Sequence, residues 1–199
     1  ALIESSASIE ANNLKFIKNN AILILADDYK ITSSVFDSNV ANTKTKMSTL
    51  IKSNNGQKAF ISDVRFSTNT VIDGCVYFYA KSTQNILTVT DSAFIGNSAN
   101  EGWSCILMPY SGGLLDVKSS LFINNTDSGR TGALILTSTE VHVTDSIFLQ
   151  NTIANSNNAL INAKSSANLK NIYCDGNWFG NTQENYNISP QISSSSKCS

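Results

Sequence analysis

Three aspartates, Asp63, Asp91 and Asp145, stand at equivalent points of a recurring pattern, where a cluster of carboxylates would hold calcium or form an acid–base pair. Lysis of an acidic polysaccharide needs such a cluster and a basic residue that takes a proton. Hydrolysis of the polygalacturonase kind needs several aspartates, a nearby histidine and a pair of basic residues. The sole histidine, His142, and the only arginines, Arg65 and Arg130, fall at different points of their repeats, and Asp27-Asp28 is a pair on a short turn with no histidine near it. The same column as the aspartates also holds Asn13, Ser33, Ser119 and Asn171, neutral residues that bend chains by bonding their own backbone. A bend role therefore accounts for all seven positions. No GxSxG elbow, Walker loop, dinucleotide fingerprint or GGxGxD calcium repeat occurs. Cys75, Cys105, Cys174 and Cys198 form no CxxC pair, which argues against structural zinc. The expectation is a protein with no catalytic residue, metal or cofactor; a β-helical polysaccharide lyase or hydrolase is the alternative.

The balance of charge narrows the partners. Of 199 residues, Lys and Arg number 14 and Asp and Glu 15, for a net charge of -1. Binding nucleic acid or an anionic membrane requires a positive excess, so neither is expected. Hydrophobic residues make up 41%, enough for one sizeable core, and no apolar run approaches the ~20 residues that span a bilayer. No signal peptide opens the chain, so an export signal is expected to have been removed or to lie outside it.

What must position these side chains is a repeat. Phe-x-x-Asn recurs as Phe16/Asn19, Phe36/Asn39, Phe66/Asn69, Phe94/Asn97, Phe122/Asn125 and Phe148/Asn151, and Cys174/Asn177 is read into the same slot. Five and seven residues before each Phe lie apolar columns, Ala11, Ile31, Ile61, Val89, Val117, Val143 and Ile9, Tyr29, Ala59, Leu87, Leu115, Val141. The residues between them, Glu10, Lys30, Phe60, Thr88, Asp116 and His142, are mostly polar and of no fixed type. Such period-two alternation is a strand with one buried face. A second apolar segment precedes each of these strands, starting at Ala1, Ala21, Thr49, Cys75, Cys105, Ala133 and Ala159. Strands this short cannot bury a face alone, but stacking them ~4.8 Å apart builds a continuous core. The prediction is an all-β fold, a right-handed single-stranded parallel β-helix of about seven coils with three short strands each. It covers 1–181 and is followed by a capping tail at 182–199. The phenylalanines form a buried stack and the asparagines a ladder of inward amides.

Variation in a solenoid collects on one edge, here the stretch after each ladder Asn. Trp103, beside Glu101 in the loop 98–104, is the candidate contact residue there, with a structural role as the equal alternative. Cys75 and Cys105 begin equivalent strands, where two buried thiols and a bridge are both compatible with the spacing. A Cys174–Cys198 bridge is a candidate tie for the tail. Trp178-Phe179 is the expected plug of the last coil. Ala1-Leu2-Ile3 is already in repeat phase, so further chain is expected upstream.

The units Val89-Thr90-Asp91-Ser92-Ala93-Phe94-Ile95-Gly96-Asn97 and Val143-Thr144-Asp145-Ser146-Ile147-Phe148-Leu149-Gln150-Asn151 resemble the V-T-x-S-x-F-x-x-N repeat of adhesin-like surface proteins of methanogenic archaea. Asn177-Trp178-Phe179-Gly180-Asn181 is similar to the closing motif of their β-helical regions, which are of the pectin-lyase-like type. The resemblance spans nearly the whole chain, although Gly-Gly-Ala-Ile units, common in that group, are represented only by Gly132-Ala133-Leu134-Ile135. It implies an extracellular, envelope-attached module that displays loops to a glycan or protein of another cell, with further domains beyond this chain. A purely structural spacer is the remaining alternative. In an exported protein the sequons at Asn124 and Asn187 are candidate glycosylation sites.

Overall fold

The alternation of the sequence is realised as stacked parallel strands in a computed structural model that describes residues 2–41, 48–108, 112–128, 134–137, 140–153, 160–163, 172–180 and 188–189. Ile9, Tyr29, Ala59, Leu87, Leu115 and Val141 lie in one continuous register, and Ala11, Ile31, Ile61, Val89, Val117 and Val143 in the next inward one. Every strand pairing among the described residues is parallel and joins strands one repeat apart, and no helix occurs there. The fold is an all-β solenoid with an eleven-stranded, an eight-stranded and a four-stranded sheet around one core.

In the eight-stranded sheet Ile3, Ile24, Ile51, Val76, Ile106, Ile135, Ile161 and Ile188 are in register. The triplets read from sequence would instead align Leu23, Tyr77 and Leu107 with Ile51, one residue away. These segments are apolar on both faces, so no alternation fixes their register. Tyr77 and Leu107 are buried apart from the main core, in a small cluster with Tyr79. The last strand, Ile188–Ser189, lies within the expected tail and extends this sheet.

Two corners of each repeat use the left-handed region. Asn13, Ser33, Asp63, Asp91, Ser119 and Asp145 all have φ between 46° and 59°, so the aspartate column is a column of bends, as its neutral members indicate. The residue immediately before each ladder Asn does the same: Lys18, Ser38, Thr68, Gly96, Asn124 and Gln150 have φ between 51° and 63°. Only one of these six is glycine, so residue type does not reveal the second corner. The rigid stack beneath holds it in place.

That stack has two buried components. Phe16, Phe36, Phe66, Phe94, Phe122 and Phe148 lie ring over ring with centroids 4.7 to 5.2 Å apart. Beside them the ladder amides bond in one direction. Asn97 Nδ2 donates to Phe66 O at 2.9 Å and to Asn125 Oδ1 at 3.0 Å, while Asn97 Oδ1 accepts from Asn69 Nδ2 at 2.9 Å and Asn69 N at 3.1 Å. Asn39, Asn69 and Asn125 repeat this set, and Asn19 and Asn151 stand at its two ends.

A second ladder, of serine hydroxyls, was not foreseen although its residue is the Ser of the V-T-x-S unit. Ser34, Ser92, Ser120 and Ser146 each donate to the carbonyl two residues earlier, at 2.6 to 2.9 Å. The same hydroxyls accept the N–H of Leu14, Val64, Ser92 and Ser120 from the preceding repeat.

The final repeat corrects the placement of Cys174 and Asn177. Cys174 is in register with Val143, not Phe148, and the ring that stacks on Phe148 is Phe179, 5.1 Å away. Asn177 is therefore not a rung of the asparagine ladder. Its Oδ1 accepts from Ser146 N at 2.9 Å and its Nδ2 donates to Val143 O at 2.7 Å, completing the serine ladder instead. The spacing is matched by chance because Phe-x-x-Asn fixes only two positions.

Phe94→Ala removes a fully buried ring and should cost about 3–5 kcal/mol. Asn97→Leu leaves partners on both sides unsatisfied, each at about 1–3 kcal/mol, and should destabilise comparably. Chemical denaturation of both variants checks this, with a fall in midpoint expected for each.

Candidate functional site

Because alternate residues point away from the core, the inward columns force an outward one. Glu10, Lys30, Phe60, Thr88, Asp116, His142 and Tyr173 stand in continuous register along the outer face of the eleven-stranded sheet. Two residues earlier on the same strands, Lys58, Ile86, Leu114 and Glu140 form a flanking column on that face.

Near the first repeats these columns bound a cleft of about 440 Å³. Phe60 and Ile86, both half-buried, supply its apolar part, and Glu10, Lys30, Asp28 and Lys58 its charged part. Lys30 Nζ lies 2.6 Å from Glu10 Oε1, with both side chains more than half exposed, so the pair adds at most about 1 kcal/mol to the fold. Asp28 Oδ1 accepts from Gln57 N at 2.6 Å and Lys58 N at 2.9 Å, which gives this acidic residue an anchoring role at the start of the next strand. Beneath the cleft the Tyr29 ring sits edge-on to Phe78 in the core. Its hydroxyl is buried without a hydrogen-bond partner, and burial pushes the phenol well above its ordinary pKa, so it is neutral.

Farther along, His142 is half-buried on the outer face, as its place between two inward valines predicts. Its register neighbour is Asp116, but the carboxylate it meets is Glu140, with Nε2 and Oε1 2.7 Å apart. The Tyr173 ring packs edge-on at 4.6 Å. Among the described residues the hydrogen-bond and ring contacts of His142 are Glu140 and Tyr173, neither of them a hydroxyl or thiol nucleophile held by the imidazole. Among the described residues no three His, Cys, Asp or Glu side chains converge on a metal position.

The remaining candidates are dispersed. Glu101 and Trp103 belong to a strand, Ser98–Trp103, where a loop was expected; it pairs with Thr70–Asp73 through a register shift between Ala99 and Trp103. Their side chains lie outside the described residues. Asn124 is exposed on its left-handed corner, and Asn187 lies outside the described residues. Cys75 and Cys105 are buried free thiols, which decides between the two readings of that pair. Cys75 Sγ donates to Ser104 O at 3.3 Å, and burial raises both thiols above the usual range, leaving them unreactive. Cys174 is disulfide-bonded; Cys198 lies outside the described residues.

The cleft is not visible in the sequence because the outward column shows no fixed residue type. The available signal was Phe60, an aromatic ring at a position otherwise occupied by polar residues in the first six repeats. No protein-family model, curated protein or solved structure matches the chain.

Tyr29→Phe deletes a buried hydroxyl that bonds nothing, so melting of the variant should occur at the same temperature or higher. A marked loss of stability on calorimetry would show that the hydroxyl has a partner.

Proposed function

We propose that this chain is a non-catalytic display module of an exported, envelope-attached protein, similar to the adhesin-like surface proteins of methanogenic archaea. In this reading a right-handed β-helix of about seven coils, pectin-lyase-like in type, carries its outer columns and the edge containing Glu101 and Trp103 toward a glycan or protein of another cell. Further domains of the same polypeptide attach it to its own cell surface.

One observation supports the reading above the others: uninterrupted amide and aromatic stacks lie beneath an outward column whose chemistry changes at every rung. The inner columns repeat because stacking demands it. The outer one does not repeat, and a rod that holds varied side chains at fixed spacing suits recognition.

The protein should bind partner cells or an immobilised glycan saturably and release no product from pectin or polygalacturonate. Product formation would replace this reading with the lyase or hydrolase, and the absence of any saturable binding would leave a spacer. Trp103→Ala should retain the parent circular dichroism spectrum and bind cells more weakly if the 98–104 edge is the contact surface.

A further inference from the structure

We propose that the cleft over Phe60 is a saccharide subsite that takes one pyranose unit of an acidic glycan; the inference rests on the display reading and assigns it a ligand class and a place. An apolar floor with a few convergent polar groups is the usual make-up of a small-molecule site, and a volume of about 440 Å³ lies in the range of such sites. Phe60 stands on the outer face between Lys30 and Thr88 in register, with Ile86 beside it on the flanking column. An aromatic ring that lines the cleft and is half-open to water can stack on the C–H face of a sugar ring.

The polar rim matches the other half of such a ligand. The Glu10–Lys30 pair sets a carboxylate acceptor next to an ammonium donor, 2.6 Å apart, and vicinal hydroxyls can donate to one and accept from the other. Two backbone amides already occupy one oxygen of Asp28, so this carboxylate repels an incoming anion less than a bare one. Lys58 is exposed and makes no ion pair among the described residues. With Lys30 paired to Glu10 and Asp28 held by two backbone amides, Lys58 is the ammonium left for a ligand, and it favours a ring bearing a carboxylate, as in a uronic acid, over a neutral hexose.

Isothermal titration calorimetry of the whole chain with a tetrasaccharide of uronic acid and a neutral gluco-tetrasaccharide tests this. The parent should bind the uronate more tightly than the neutral sugar, and that preference should shrink as salt is raised. Phe60→Ala should weaken both ligands about tenfold. Lys58→Met should weaken only the uronate, by about fivefold, and abolish its salt dependence. Phe60→Tyr keeps the platform and should bind like the parent. If Phe60→Ala alters the melting curve, the selective loss in Lys58→Met is the deciding measurement. Unchanged affinity in both variants would overturn the subsite, as would a parent that binds neither tetrasaccharide. Cell binding that survives in Phe60→Ala alongside unchanged glycan affinity would remove the cleft and leave the display reading intact; a parent that binds no cell and no glycan would end both.

Discussion

A primary amide buried in an apolar stack must satisfy two donors and one oxygen, and in this protein it can do so only from the repeats above and below. Asn97 uses Phe66 O, Asn125 Oδ1, Asn69 Nδ2 and Asn69 N for that purpose. A slip of one repeat against the next by a single residue would leave these groups unpaired inside the core, at about 1–3 kcal/mol for each. The ladder therefore fixes register as well as adding stability. The phenylalanine stack alone would fix it less sharply, because rings tolerate lateral offset.

This constraint explains what was legible in the sequence. The columns Ile9 to Val141 and Ala11 to Val143 could be aligned by counting back from Phe-x-x-Asn, since the ladder holds those strands at constant distance from the amide. The segments beginning near Cys75 and Cys105 lie beyond stretches of variable length and are apolar on both faces. Neither counting nor alternation fixes them, and three were displaced by one residue. In the last repeat the amide Asn177 serves a serine's role and Phe179 takes the slot read as Cys174, an exchange visible only once hydrogen bonds and stacking are known.

The candidate site was less legible for a related reason. Inward positions announce themselves by recurrence, because each must fit the one above. Outward positions answer to solvent or to a ligand, so Glu10, Lys30, Phe60 and Thr88 share no pattern that reading one repeat against another could detect. His142 illustrates the same limit: its exposure followed from Val141 and Val143, but its partner Glu140 lies on its own strand and not in the neighbouring repeat. Recurrence locates a scaffold, and departure from it locates what the scaffold carries.

The asparagine ladder also has a polarity, since the Nδ2 of Asn39, Asn69, Asn97 and Asn125 each reaches back to a phenylalanine carbonyl and forward to the next amide oxygen. Copying or deleting one whole unit in the middle leaves every remaining amide with the same two kinds of neighbour. Gene duplication could thus tune the height at which the Phe60 face stands, in increments of ~4.8 Å, with no compensating change elsewhere.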